Sequence, residues 1–292
     1  MSIESGKTRV GFIGLGVMGK SMAGHILKAG YALHVYTRTK SSSDELISQG
    51  AVWEESVKDL SRQCHVIITM VGFPSDVEEV YLPENGIIAN TEKGSIIIDM
   101  TTSSPDLALK IYEKAQTTGI EALDAPVSGG DIGARNASLT IMVGGDKKSF
   151  DKVLPLFEAM GNNVVLQGGP GAGQHTKMAN QMAMAAGLIS VCESLSYAKR
   201  AGLDPEKVLK SIGTGSAASW SLNNLGPRII AGNPEPGFYV KHFIKDMTIA
   251  ANSSRNLELE TPGLDLALSL YKKLAKMGYE DKGTQALWKL FE

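Results

Sequence analysis

The sequence predicts an α/β fold in two parts: an N-terminal domain on a mostly parallel sheet, then an all-α domain, joined by a long interdomain helix. Three observations predict it. Up to about residue 166, short apolar and β-branched runs alternate with helix-like segments, the pattern of a parallel sheet covered on both faces. The breakers Gly168-Gly169-Pro170-Gly171 then cluster in one place. Beyond them every segment reads as helical. The boundary is therefore expected at 168/169, with residues 1–168 forming one domain and 169–292 the other. A length of 292 residues suits two cores better than one.

The elements follow in chain order. An apolar run at 10–13 is the first strand, and 20–29 reads as the helix after it, with Met18, Met22 and Ile26 on one face as core packing. Residues 31–36 are a short second strand. Residues 65–71, dense in β-branched residues and bounded by Gly72 and Pro74, read as a buried parallel strand, as do 95–99. Residues 75–81 and 105–117 are helices, each opened by Ser, Asp or Pro. Residues 121–124 and 139–143 are short strands, and 163–166 a last edge strand. Residues 173–200, rich in Ala, Met, Gln and Leu and free of proline, read as a helix of about seven or eight turns. Helices at 205–212, 222–225, 242–256, 263–277 and 284–291 complete the second domain.

The first strand runs into Gly14, Gly16 and Gly19, spaced G-x-G-x-x-G, and then into a helix. That is the turn of a Rossmann-type dinucleotide-binding unit. One glycine makes the turn, one lets the backbone approach a pyrophosphate, and one lets helix and strand pack closely. The helix N-terminus presents N–H groups and partial positive charge to the phosphates. Gly14, Leu15, Gly16, Val17, Met18 and Gly19 are thus the candidate phosphate-binding segment. An acid about 20 residues past such glycines reads the ribose of NAD, whereas an arginine there accommodates the 2′-phosphate of NADP. Here the second strand ends in Tyr36-Thr37-Arg38-Thr39-Lys40-Ser41, with no carboxylate before Asp44. Thr37, Arg38 and Thr39 therefore favour NADP, with NAD possible. A solvated polar loop is the plainer reading of the same residues.

The long helix opens with Gly171-Ala-Gly-Gln174-His-Thr-Lys177-Met-Ala-Asn180-Gln181. Lys177, Asn180 and Gln181 share one helical face, and Gln174 lies a turn earlier. Apolar neighbours, Met178 to Ala186, imply that Lys177 is at least partly buried, and burial must be matched by a partner or a task. A lysine can donate a proton to a carbonyl oxygen as hydride reaches the carbon, and take it back in the oxidising direction, which requires a depressed pKa. Asn180, or Gln181, would align it with the substrate oxygen.

Other stretches lie at the carboxyl edge of the sheet, where ligands of open α/β sheets bind. Asp124-Ala-Pro-Val-Ser128-Gly129-Gly130 reads either as a turn or as a nest of backbone N–H groups for a carboxylate. Met70 and Val71 end one strand. Thr102 follows another, facing a nicotinamide or capping the next helix. Lys245-Asp246 in the second domain could close over a site, or be an exposed ion pair.

Composition narrows the classes. At 43% hydrophobic, 21% charged and net charge −2, the chain has no electrostatic footprint for nucleic acid or an anionic membrane. Two distant cysteines and five histidines show no metal-ligand spacing, so no metal is expected and the thiols read as reduced and buried. With the first eight residues mostly polar, no targeting segment is expected, and no apolar run reaches the ~18 residues of a membrane span. A cytoplasmic location is expected. Long apolar helices favour a homodimer or homotetramer.

Together the glycine motif, Asp124-Ala-Pro-Val-Ser-Gly-Gly130, Gly171-x-Gly-x-x-x-Lys177-x-x-Asn180-Gln181 and Lys245-Asp246-Met247 stand in order along the whole chain, and in this it resembles the β-hydroxyacid dehydrogenase family. That family includes 3-hydroxyisobutyrate dehydrogenases, tartronate semialdehyde reductases and glyoxylate/succinic semialdehyde reductases, with an N-terminal domain like that of 6-phosphogluconate dehydrogenase. The resemblance implies a catalytic Lys177, substrate carboxylate binding at Ser128, Gly129 and Gly130, cofactor contacts at Val71, Thr102 and Lys245, and Asn180 and Gln181 near the substrate. It implies an NAD(P)-dependent 3-hydroxyacid dehydrogenase or semialdehyde reductase acting on a small carboxylate-bearing hydroxy acid or aldehyde. Two features depart from common members: Gln181 replaces a second asparagine, as in tartronate semialdehyde reductases, and Thr37 replaces the acid of NAD-specific members. An imine reductase and a non-catalytic NADP-binding module are the competing readings. Lys177 argues against the first, and Lys177 with the nest argues against the second.

Overall fold

The computed structural model describes residues 3–292. The chain divides into two compact units, Met1–Lys177 and Met178–Glu292. Among the described residues the first holds nine strands: β1 (Arg9–Ile13), β2 (Ala32–Tyr36), β3 (Val52–Trp53), β4 (Val66–Thr69), β5 (Ile96–Asp99), β6 (Glu121–Asp124), β7 (Val127–Ser128), β8 (Leu139–Gly145) and β9 (Gly161–Gly168). They lie in the order β3-β2-β1-β4-β5-β6-β8-β7, with β9 beside β8. The first six in this order are mutually parallel. Their order, 3-2-1-4-5-6, is that of a Rossmann fold. β8 runs antiparallel to β6 and β7 and parallel to β9.

Every residue of β4 and β5 is buried because both faces of the sheet are covered. Successive side chains serve opposite faces. Val66, Ile68, Ile96 and Ile98 belong to one apolar cluster, and Ile67 and Ile97 to the other. At the carboxyl edge the pattern changes. Thr69 pairs with Asp99, and Asp99 with Asp124, in register across β4, β5 and β6. All three are buried, so this edge carries a polar row inside the unit.

The second unit is helical. Its helices are Pro205–Ile212, Trp220–Ile230, Val240–Asn256 and Pro262–Leu274, together with the part of Ala172–Arg200 beyond Lys177. Asp204 and Ser219 cap the first two of these with side-chain oxygens. Its core centres on aromatic contact: Phe243 and Tyr271, both fully buried, meet edge to face at 5.0 Å. Burying a side chain such as Phe243 contributes about 1.5–3 kcal/mol. The Tyr271 hydroxyl donates to Thr284 O at 2.8 Å, so its polar tip is satisfied.

Most expected elements are present, with shifted ends. The helix expected at 263–277 ends at Leu274 and passes into a π turn, Ala275–Tyr279, within which Gly278 takes φ 89°. The expected helix at 284–291 is a 3-10 helix, Thr284–Leu290. The expected helix at 222–225 is longer, Trp220–Ile230, and carries Pro227 within it. The helices Val57–Gln63, Gly130–Arg135 and Lys147–Glu158 lie where the sequence reading assigned no element. The last contains Pro155, which breaks the helical pattern in sequence.

Candidate active site

The glycine turn has the geometry its spacing implies. A Cβ on Gly14 would overlap Met70 O and stand 3.2 Å from Val71 Cγ1, so the turn lies against the end of β4. A Cβ on Gly19 would overlap Gly14 O and stand 3.1 Å from Phe12, so strand and helix can meet only without a side chain there. At Gly16 a Cβ would meet nothing within 4 Å, which leaves open the backbone face that a pyrophosphate needs. Leu15 is buried, Val17 exposed and Met18 intermediate. These residues fit a dinucleotide.

Beyond β2, Thr37 is half-buried and Arg38 and Thr39 are exposed. The Arg38 guanidinium lies 3.3 Å from Asp76 Oδ1, and Asp76 Oδ2 accepts from Phe73 N at 3.0 Å. The polar loop is thus tied to the segment after β4. Asp76 was not among the expected site residues, because it lies 38 positions from Arg38 and carries no motif.

Lys177 is 6% exposed, and its Nζ donates to Val127 O at 2.9 Å. Val127 directly precedes Ser128-Gly129-Gly130, and Gly129 and Gly130 have φ of 129° and 62°. The ammonium and the candidate nest are therefore brought together. The turn of helix before Lys177 is held by buried groups. Asp124 Oδ1 accepts from Gly171 N and Oδ2 from Gln174 N, both at 2.8 Å. The Gln174 side chain accepts from Ser103 N at 3.0 Å and donates to Thr101 O at 2.8 Å. Thr102 lies between those two partners, and Val71 N donates to Thr101 Oγ1 at 3.0 Å. Burial pushes the Asp124 carboxyl above the usual range, opposed by the N–H groups of Gln174 and Gly171. Burial pushes Asp99 up to about 6, opposed by hydrogen bonds from Thr101 and Thr69.

In the second unit Asn180, Gln181, Asp246 and Lys245 form one chain of contacts. Asn180 Nδ2 donates to Gln181 Oε1 at 2.7 Å, and Gln181 Nε2 to Asp246 Oδ2 at 2.6 Å. Lys245 Nζ stands 3.0 Å from Asp246 Oδ1. This ion pair is buried, not exposed: the two side chains are 12% and 2% accessible. Neighbouring His242 is held below its ordinary value by burial and by Lys245 and Lys241.

The roles of Asp124, Gln174 and Asp99 went unread in the sequence. The available signal was an acid closing two apolar runs, Ile-Ile-Ile-Asp99 and Ala-Leu-Asp124. Among the described residues no group of three or more His, Cys, Asp or Glu could hold a metal ion, and no helix is long and apolar enough to cross a membrane. Cys64 and Cys192 are buried free thiols, and burial pushes each up to about 12.

Comparison with known proteins agrees with this arrangement. Residues 9–169 match the NAD binding domain of 6-phosphogluconate dehydrogenase, and residues 171–291 the NAD-binding domain of NADP-dependent 3-hydroxyisobutyrate dehydrogenase. The chain belongs to the β-hydroxyacid dehydrogenase family. It is 59% identical to the uncharacterized oxidoreductase YkwC of Bacillus subtilis, over 98% of this chain and 99% of that one. It is 39% identical to 2-hydroxy-3-oxopropionate reductase of Escherichia coli, over 97% of each. The solved structure of Mycobacterium tuberculosis 3-hydroxyisobutyrate dehydrogenase with L-serine superposes with a TM-score of 0.90 at 26% identity, over 98% of this chain and 99% of that one. This β-hydroxyacid dehydrogenase is accordingly an NAD(P)-dependent oxidoreductase.

Proposed function

We propose that this β-hydroxyacid dehydrogenase is NADP-linked and interconverts a small β-hydroxy acid and its semialdehyde, with Lys177 as general acid and base. The observation that carries the reading is the buried Lys177 ammonium, held by the carbonyl that leads into Ser128-Gly129-Gly130. A proton donor and a carboxylate-binding backbone side by side suit a substrate with a carboxylate near its carbonyl.

The nicotinamide, when bound, supplies hydride to the carbonyl carbon or accepts it from the alcohol. The chain does the rest. N–H groups of Ser128, Gly129 and Gly130 bind the substrate carboxylate. Lys177 Nζ gives a proton to the carbonyl oxygen as the C=O π pair moves onto it, and the product is the hydroxy acid. In reverse, the amine takes the hydroxyl proton. Asn180, one turn further along the same helix and held by Gln181, aligns the substrate oxygen; Gln181 is held in turn by Asp246, the partner of Lys245. Gly14 to Gly19, Met70, Val71 and Thr102 serve the dinucleotide, and Arg38 with Thr37 and Thr39 receives the 2′-phosphate. Support for this assignment comes from Thr37, which stands where an acid would select NAD, and from the arginine that follows it.

The test is a panel of glyoxylate, succinic semialdehyde, tartronate semialdehyde and methylmalonate semialdehyde, each with NADPH and NADH. Reduction of at least one with a lower KM for NADPH is expected. Failure on all four, with turnover of a cyclic imine, would replace the reading by an imine reductase.

A further inference from the structure

We propose that Gln174 is a positioning residue for hydride transfer: its carboxamide clamps the loop that carries Thr102 to the helical turn that carries Lys177. The proposal rests on the acid/base reading of Lys177 given above. The side chain is fully buried, yet both its polar ends are engaged. Oε1 accepts from Ser103 N at 3.0 Å, and Nε2 donates to Thr101 O at 2.8 Å. The two partners flank Thr102, so the amide grips the backbone on both sides of it. Thr101 is itself fastened on its other side. Its N–H donates to Asp99 Oδ1 at 3.0 Å, and its hydroxyl oxygen accepts from Val71 N at 3.0 Å. Residues from the ends of β4 and β5 therefore form one hydrogen-bonded unit, and Gln174 is its link to the helix.

Gln174 is also fixed from behind, since its own N–H donates to Asp124 Oδ2. Lys177 follows three residues later, one turn along a rigid element. Few other side chains could make this clamp. It needs a donor and an acceptor on one planar group, and an amide supplies both without charge. A carboxylate could accept from Ser103 N but could not donate to Thr101 O. Loosening the clamp would let the cofactor-side loop drift relative to the ammonium. A misplacement of about 1 Å can cost about 100-fold in rate without a comparable loss in binding.

The experiment compares wild type with Gln174→Met and Gln174→Glu in the full chain, using the best aldehyde acid of the panel. Gln174→Met keeps the volume and removes both bonds. It should lower kcat by about 10- to 100-fold, with NADPH affinity by fluorescence titration within about twofold, and should raise the isotope effect on kcat with 4-deuterated NADPH. Gln174→Glu gives a second readout that does not depend on the fate of the Met variant. A protonated glutamic acid donates to Thr101 O as the amide does, so its kcat relative to wild type should climb as pH falls. Unchanged kcat in Gln174→Met overturns the clamp, as does a fall in kcat matched by equal loss of NADPH affinity. A Gln174→Glu to wild-type ratio that stays flat or drops as pH falls also overturns it. Wild-type inactivity on the whole panel would overturn the proposed function and this role with it, whereas an active wild type with indifferent variants overturns only the role of Gln174.

Discussion

The acid/base role proposed for Lys177 rests on its surroundings. An ammonium at 6% exposure costs free energy unless something holds it, and Val127 O does so at 2.9 Å. Replacing it with alanine should lower kcat by about 100-fold or more, the usual worth of a general acid, while the Kd for NADPH moves by less than about threefold. Steady-state kinetics beside a fluorescence titration check this. Equal loss of both would mean that the lysine is structural. Arg38 makes a second case. Its side chain is 79% exposed and its pairing with Asp76 contributes little to stability, so it can exchange that partner for a phosphate at low cost. Arg38→Asp should shift the ratio of kcat/KM for NADPH over NADH by about 10- to 100-fold toward NADH, matching the ~1.5–3 kcal/mol of a charged hydrogen bond. An unchanged ratio would move cofactor choice elsewhere.

Among the elements, the carboxyl edge of β4, β5 and β6 carries the main burden. Thr69, Asp99 and Asp124 are in register there, and Asp99 accepts from Thr69 Oγ1 at 2.8 Å. Burial raises Asp99 from its ordinary 3.8 to about 6. A raised folded-state value means that the native protein holds this proton more tightly than the unfolded chain. The contribution of Asp99 is thus fully present below about pH 4 and is lost as pH rises through about 6. Unfolding in urea from pH 4.5 to 7.5 should show wild type losing stability relative to Asp99→Asn across that window and holding level above it. A relative gain for wild type with rising pH would contradict the burial of an ionisable acid at this position.

For the whole molecule, the consequence to measure is linkage between coenzyme and folding. A ligand that binds only the native state at 100 times its Kd adds about 2.7 kcal/mol to stability. NADPH should therefore raise Tm by several degrees, and NADH at the same concentration by less. A larger shift with NADH would reverse the assignment of Arg38. The two units should also respond differently, because the glycine turn, the Arg38 loop and the clamp at Gln174 all lie within Met1–Lys177. Hydrogen exchange should slow at the amides of 14–19 and 101–103 when NADPH binds.

What the sequence alone determined was local. The strand, glycine turn and helix at the start, the long helix and the lysine near its N-terminus are written in contiguous patterns of apolar period and breakers, so Gly14 to Gly19 and Lys177 could be found by reading. Two-residue strands such as β3 and β7 could not, because so short a run has no period. Only the tertiary structure decided which polar side chains meet around the candidate site. Asp124 meets Gln174 across 50 positions, Gln174 meets Ser103 across 71, and Gln181 meets Asp246 across 65. No local pattern encodes such pairs. They exist because a buried polar group must find a partner wherever the fold brings one within reach.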